Sequence, residues 1–200
     1  MPLRNPPQLD EAGIAKAVTE SIARRAKPLT TAQQLLDRAM ISDQVHRYMK
    51  GLDACDFPLV MSVLERPFHM QANQLGIDGP IMPEDYAMRF GPGKFLPGFD
   101  VTVHMSTNHL ITLDGDEAHV ETKLYACHYV QEEQADDRRN IGGNRTPSVH
   151  MHCNKQMPWE GWLRRQEDGG WLFSRIRMGT FASEGDTRAF DISLQRSGHL

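Results

Sequence analysis

Apolar residues recur every three or four positions along two N-terminal stretches of this chain and every second position through most of its second half. Ile14, Ala17, Val18 and Ile22 share one face of a helix predicted from Leu9 to Ala26, which stops before Pro28. The stripe gives this helix the look of an arm that packs on a neighbour. Thr31-Ala32-Gln33-Gln34 reads as a capping box that opens a second helix, with Leu35, Leu36, Met40, Val45, Met49 and Leu52 at helical spacing. This is the main core helix. Asp56, with Pro58 just inside the following turn, starts a short third helix around Leu59 to Leu64. From Arg66 to Gly98 the pattern is mixed: a strand at Phe68 to Gln71, a turn at Gly76 to Gly79, and a helix start at Pro83-Glu84-Asp85.

Beyond Phe99 the period becomes two. Val101 to Leu113, the turn Asp114-Gly115, and Ala118 to Gln131 form a long hairpin. A polar segment, Glu132 to Ser148, separates it from Val149 to Cys153 and has the length of a lid or an insert. Trp159–Arg165 and Trp171–Thr180 make a last hairpin through Asp168-Gly169-Gly170, and no element is predicted after Ser183. Helices first and strands afterwards predict an α+β domain with helices over one face of a curved sheet. The expected organisation is a helical arm over residues 1–30, one domain over 31–183 and a tail over 184–200.

Composition narrows the function classes. The 200 residues carry 40% hydrophobic and 24% charged side chains, the balance of an ordinary globular domain, and the formal net charge is −4. No Lys/Arg block stands out beyond short pairs such as Arg24-Arg25, Arg138-Arg139 and Arg164-Arg165, which leaves no footprint for nucleic acid. A small neutral or anionic molecule is the expected ligand. No run approaches the roughly 20 apolar residues needed to cross a bilayer, and Met1 to Leu9 lacks the apolar core of a signal peptide, so cytoplasmic residence is expected. Cys55, Cys127 and Cys153 form an odd set without C-x-x-C spacing, which predicts reduced, structural thiols.

Three segments together resemble the SnoaL-like, scytalone dehydratase-like branch of the NTF2-like superfamily. Ile41-Ser42-Asp43-Gln44-Val45-His46-Arg47-Tyr48, running into Gly51-Leu52-Asp53, is similar to the family helix with a Tyr five residues before an Asp. His104-Met105-Ser106-Thr107-Asn108, followed by Asp114-Gly115-Asp116, is similar to a strand with the catalytic His ahead of its turn. Asp168-Gly169-Gly170-Trp171-Leu172-Phe173 matches the terminal hairpin. The resemblance implies a cone in which N-terminal helices pack on a strongly curved, mainly antiparallel sheet enclosing a pocket. It does not name a substrate, because the fold hosts isomerases, cyclases, lyases and non-catalytic binders.

The candidate site residues follow, each beside its structural alternative. Asp53 ends a helix, where a carboxylate meets the negative end of the dipole, so it is either a solvated turn residue or, as the resemblance implies, the partner of a catalytic His. Strand alternation puts His104, Ser106 and Asn108 on one face and Val103, Met105 and His109 on the other. Periodicity alone would bury the Val103 face, the resemblance places His104 in the pocket, and His109 is the fallback. Only one of the two histidines can face the pocket unless a bulge intervenes. His128 shares an inward face with Val120, Leu124, Ala126 and Val130, as a hydrogen-bonded core residue or as the second His of the family. Tyr48 is a packing residue or a donor to a substrate carbonyl; the dehydrochlorinase of the family has Lys there, which points away from halide elimination. Arg175 and Arg177 share a face of the last strand and read as solvated. His150 and His152 share a strand face that could ligate zinc, but no third ligand stands at a standard spacing.

Taken with the resemblance, Asp53, His104, His128 and Tyr48 imply a lyase acting on a small carbonyl or phenolic compound without cofactor or metal. His104 would be the base, oriented by Asp53, with His128 as the leaving-group acid and Tyr48 as donor to the enolate oxygen. Carbon–carbon cleavage, isomerisation, cyclisation and non-catalytic binding are the alternatives. Apolar residues on both sheet faces and on the first helix predict a homodimer or homotrimer.

Overall fold

The computed structural model describes residues 10–23, 28–131, 140–141, 144–145, 149–180 and 182–199. The chain divides into two compact units, Met1–Leu35 and Leu36–Leu200. The first contains α1 (Glu11–Ala23), where the Asp10 carboxylate caps the helix by accepting from the Gly13 N–H at 2.8 Å. The remaining residues of the predicted helix, Leu9 and Arg24 to Ala26, lie outside the described residues.

The second unit begins within α2 (Ala32–Asp53) and continues through α3 (Phe57–Met61), β1 (Leu64–Ala72), β2 (Ile77–Ile81), α4 (Pro83–Arg89), β3 (Val101–Asp114) and β4 (Glu117–Gln131). The two-residue strands β5 (Asn140–Ile141) and β6 (Asn144–Arg145) pair with each other; β7 (Val149–Arg165), β8 (Trp171–Met178), β9 (Ala182–Gly185) and α5 (Arg188–Arg196) complete it. Among the described residues, no helix is long and apolar enough to cross a membrane.

The capping box forms as the sequence predicts: the Thr31 hydroxyl accepts from the Gln34 N–H at 3.2 Å, and the Gln34 side-chain Oε1 accepts from the Thr30 and Thr31 N–H groups. The buried phase of α2 differs from the expected one. Asp37, Ile41, Val45, Tyr48 and Leu52 are buried, whereas Leu35, Leu36 and Met40 stay exposed. The cause is Asp37. Its carboxylate takes both ends of the Arg165 guanidinium at 2.7 Å and the Trp171 indole N–H at 3.3 Å, so an ion pair occupies the inward side of the helix at that level.

The sheet runs β2-β1-β8-β7-β4-β3, with β1 and β8 parallel and the other pairs antiparallel. It is strongly curved and not closed. Its centre is β7, one continuous strand where the sequence pattern suggested two separate pieces. One edge of β7 pairs with β4; the other pairs with β9 over Cys153–Gln156 and with β8 from Trp159 onward. Pro158 falls where the partner changes, and that place tolerates a residue without an N–H. The core between α2 and the inward sheet face holds Tyr48, Phe68, Trp159, Trp171 and Phe173, all fully buried. Each such side chain is worth about 1.5–3 kcal/mol of transfer free energy.

The segment after Ser183, which carried no pattern, turns out to be structural. β9 extends the sheet, and α5 buries Ala189 and Ser193 against the 3₁₀ turn Leu96–Gly98. A Cβ on Gly98 would stand 1.9 Å from the Ser193 carbonyl oxygen, so only glycine allows this approach. The three cysteines are unpaired.

Candidate active site

A cavity of about 250 Å³ lies between the C-terminal half of α2, α4, the β4–β7 wall and α5. Its polar lining includes Tyr48, Tyr86, His104, His128, Lys155 and Trp159, with Gln74 and Thr180 at exposed positions.

Asp53 is the last residue of α2, and Cys55 at φ 49 turns the chain away from the helix. Gly51 lets α3 fold back closely, since a Cβ there would meet the Val60 side chain at 2.6 Å. The carboxylate left at the helix end is not solvated. It accepts from the Thr102 hydroxyl at 3.1 Å, from the His104 backbone N–H at 2.9 Å and from His104 Nδ1 at 2.6 Å. Burial pushes the Asp53 carboxyl up, but the hydrogen bonds from His104 and Thr102 outweigh it and hold the group below the usual carboxylate range. An ionised carboxylate can only accept. Nδ1 of His104 therefore carries the proton, and in the neutral ring Nε2 is bare. The His104 side chain is 6% exposed and lies on the cavity wall.

His128 is also buried, among the rings of Phe99, Phe190 and His104 at centroid distances of 5.0, 4.8 and 5.4 Å. Its Nδ1 lies 2.9 Å from the Cys153 carbonyl, which accepts only, so here too the Nε2 lone pair is free. Burial, with the neighbouring His104 and Lys155, lowers its pKa to about 4. At neutral pH His128 is an acceptor. It does not begin the cycle as the protonated acid that a simple division of labour between two histidines requires.

Tyr48 finds an unexpected partner. Its hydroxyl lies 2.5 Å from that of Tyr86 on α4, and burial raises the pKa of both phenols, Tyr86 to about 12. Both stay protonated. One phenol donates to the other, and the second proton is left for a ligand oxygen.

The parity conflict on β3 is resolved by a bulge. Thr107 pairs with Lys123 and Leu110 with Glu121, so Asn108 and His109 together oppose Thr122, and Asn108 takes φ 57. His109 thereby turns to the side of Ser106, hydrogen-bonded to it at 2.9 Å and to Ser42 at 2.8 Å, outside the cavity lining. The Val103 face, which periodicity alone would bury, is the exposed one: Val101, Val103 and Met105 are 42, 38 and 44% accessible. Arg175 and Arg177 stack on Trp162 and bond to Gln71 and Glu160, on the sheet face opposite Ile176. The His150 side chain lies outside the described residues, and His152 is exposed. Among the described residues no group of three or more metal-ligating side chains comes together.

Tyr86, Lys155, Trp159 and Phe190 escaped the sequence reading. Lys155, Met157 and Trp159 alternate correctly for one strand face, but Lys155 and Met157 fall in the gap between the predicted strands Val149 to Cys153 and Trp159–Arg165. Nothing in the sequence places Phe190.

With this geometry in hand, the comparisons with known proteins are informative. The SnoaL-like domain family matches residues 33–177. The chain belongs to the SnoaL-like family. Among solved structures it is similar to a protein from Kribbella flavida at TM-score 0.61 and 21% identity, covering 80% of this chain and 98% of that one. A hexachlorocyclohexane dehydrochlorinase from Novosphingobium barchaimii matches at TM-score 0.58 and 15% identity, covering 78% and 93%. A scytalone dehydratase-like protein from Novosphingobium aromaticivorans matches at TM-score 0.58 and 18% identity, covering 78% and 91%. At these identities the likeness establishes the NTF2-like cone of this SnoaL-like chain and nothing finer. No curated protein matches the sequence significantly.

Proposed function

We propose that this SnoaL-like protein is a lyase that eliminates water from a small β-hydroxy carbonyl or phenolic compound by acid–base catalysis, without a cofactor. The observation that carries the reading is the 2.6 Å contact between Asp53 and His104 on the wall of a largely apolar cavity. It is the opposite of what a binding module with unpaired acid–base residues would present. Neighbours in fold named as a dehydrochlorinase and as scytalone dehydratase-like support elimination as the reaction class.

His104 Nε2 removes the proton next to the carbonyl, and the imidazolium that forms is held against Asp53. The Tyr48–Tyr86 pair donates to the oxygen on which negative charge develops. The same imidazolium then returns its proton to the departing hydroxide, so water leaves, the double bond forms and His104 ends neutral. His128 Nε2 accepts from the hydroxyl before it leaves and orients it. An isomerase would share the base and lose no group, and the neutral state of His128 favours this as the second reading.

The test is a panel of aryl β-hydroxy ketones incubated with the protein in D₂O and followed by NMR. Exchange of the acidic C–H and release of water are expected, with both reduced about a hundredfold or more in His104→Ala. Exchange without elimination would select the isomerase. Full activity in His104→Ala, or no exchange on any compound by the wild type, would overturn the acid–base reading.

A further inference from the structure

The strand register sets Lys155 opposite the catalytic dyad. His104 on β3 pairs with Ala126 on β4, and Ala126 pairs with Lys155 on β7, so the three occupy one rung of the sheet and project to the same side. Adjacent strands lie about 4.8 Å apart, which puts the His104 and Lys155 backbones roughly 10 Å from each other. Only a methyl group stands on the strand between them. Both side chains line the cavity.

Among the described residues Lys155 meets no anion there. Its ammonium donates to the Ser183 hydroxyl at 3.0 Å and lies 5.2 Å from the centre of the Phe190 ring, and no Asp or Glu is among the described residues lining the cavity. The ammonium is partly open to water, and a ligand anion in the cavity would replace that water with a charge-assisted hydrogen bond. A second donor is also unused. Trp159 stands four residues along the same strand face, is 1% exposed, and its indole N–H has no acceptor. With the spare proton of the tyrosine pair, the buried part of the lining holds donors that a ligand oxygen can meet.

We propose that the molecule this cavity takes is a small aromatic carboxylate, its carboxylate on Lys155 and its reacting carbon at His104, about one ring and a short side chain apart. The cavity volume of about 250 Å³, just below the roughly 300–1,000 Å³ typical of ligand sites, suits a single ring. A carboxylate fits better than a phosphate, because among the described residues one lysine and no arginine faces the space. The position of the reacting carbon rests on the lyase reading above; the carboxylate site does not.

Calorimetric titration with cinnamate, 4-hydroxycinnamate and 3-phenylpropionate, each beside its primary amide, tests the charge alone. The wild type should bind at least one carboxylate roughly tenfold to a hundredfold more tightly than the matching amide, the range of a hydrogen bond to a charged group. Lys155→Met should lose that preference, and Lys155→Arg should keep it. Thermal melts of Lys155→Met establish that it is folded, and His104→Ala, which should keep the preference while losing turnover, serves as a second variant. Equal affinity for acid and amide in the wild type, no binding of any carboxylate at its solubility limit, or a preference that survives in Lys155→Met would overturn the proposal. Carboxylate preference with no turnover of any β-hydroxy ketone would leave the site standing and remove the lyase; turnover dependent on His104 but indifferent to the carboxylate would do the reverse.

Discussion

Replacing Asp53 by Asn probes the site at its most determined point. The side chain keeps its shape, but one oxygen becomes an NH₂ that faces donors: the Thr102 hydroxyl, the His104 N–H and His104 Nδ1. The backbone N–H cannot change its role and holds the amide oxygen at the Oδ2 position, 2.9 Å away; the NH₂ then stands at the Oδ1 position and donates to Nδ1, which moves the proton to Nε2 and presents the cavity with a donor where the reaction needs a base. In a serine-protease triad the same error of tautomer costs about 10⁴ in rate, so a loss of about 10²–10⁴ is expected here. Stability should fall as well. Losing two charge-assisted bonds of about 1.5–3 kcal/mol each, discounted because the carboxylate is 28% exposed, gives about 2–4 kcal/mol. For a chain of this size that is roughly 4–16 °C in Tm. Because the Asp53 carboxyl is held low in the folded state, its contribution is complete above the unfolded pKa of about 3.9 and is lost as pH falls through the lower folded value. The gap between wild type and Asp53→Asn should therefore be wide at neutral pH and close in strong acid. ¹⁵N NMR of the imidazole reads the tautomer directly: protonated Nδ1 in the wild type, protonated Nε2 in the variant. An unchanged tautomer together with unchanged Tm would refute the reasoning.

Three further outcomes follow from the same geometry. His128 is held neutral, with its folded pKa about 4 against about 6.5 when unfolded, so its burial stabilises fully above pH 6.5 and that contribution is lost between 6.5 and 4; His128→Leu should flatten the pH dependence of stability in this window by up to about 3 kcal/mol, and a slope identical to the wild type's would count against the assignment. Gly98→Ala drives a methyl into the Ser193 carbonyl, and the expected result is release of α5, seen as earlier proteolysis of the C-terminal segment and a Tm loss of several degrees, whereas an unaltered cleavage pattern would show that the loop can yield. The exposed Val101, Val103 and Met105 stripe on the edge strand β3 is expected to be a subunit interface, so sedimentation should show a dimer or trimer that Val103→Glu weakens; a monomeric wild type at high concentration would dismiss it.

Local chemistry wrote much of this molecule into its sequence. The capping box before α2, the Asp56 cap of α3 and the Asp114-Gly115 turn are made by neighbours in the chain, and they stand where the residues predict them. The inward face of β4 was equally legible, because period-two burial on a central strand involves no choice: Val120, Leu124, Ala126, His128 and Val130 all point in. On β3 the same rule misled. A strand at the edge of a cone can put its polar face toward the cavity and its apolar face outward, so hydrophobicity does not identify the inside; the turn of His109 came from a bulge that one added residue creates only in the pairing with β4. Burial of a charge was likewise beyond pattern. Asp37 is buried because Arg165 and Trp171, more than a hundred positions away, pair with it, and that pairing sets the phase of α2. The protonation states of the site belong to this class. Asp53 is held low and His128 neutral by contacts with Thr102, His104, Cys153 and the rings around them, and the meeting of Tyr48 with Tyr86 and of His104 with Lys155 across one rung exists only once the sheet has chosen its register. Sequence determines what a segment does with its neighbours. Which distant groups share a cavity, and hence what charge each carries there, is decided by tertiary packing, because electrostatic and desolvation energies depend on distance in space and not along the chain.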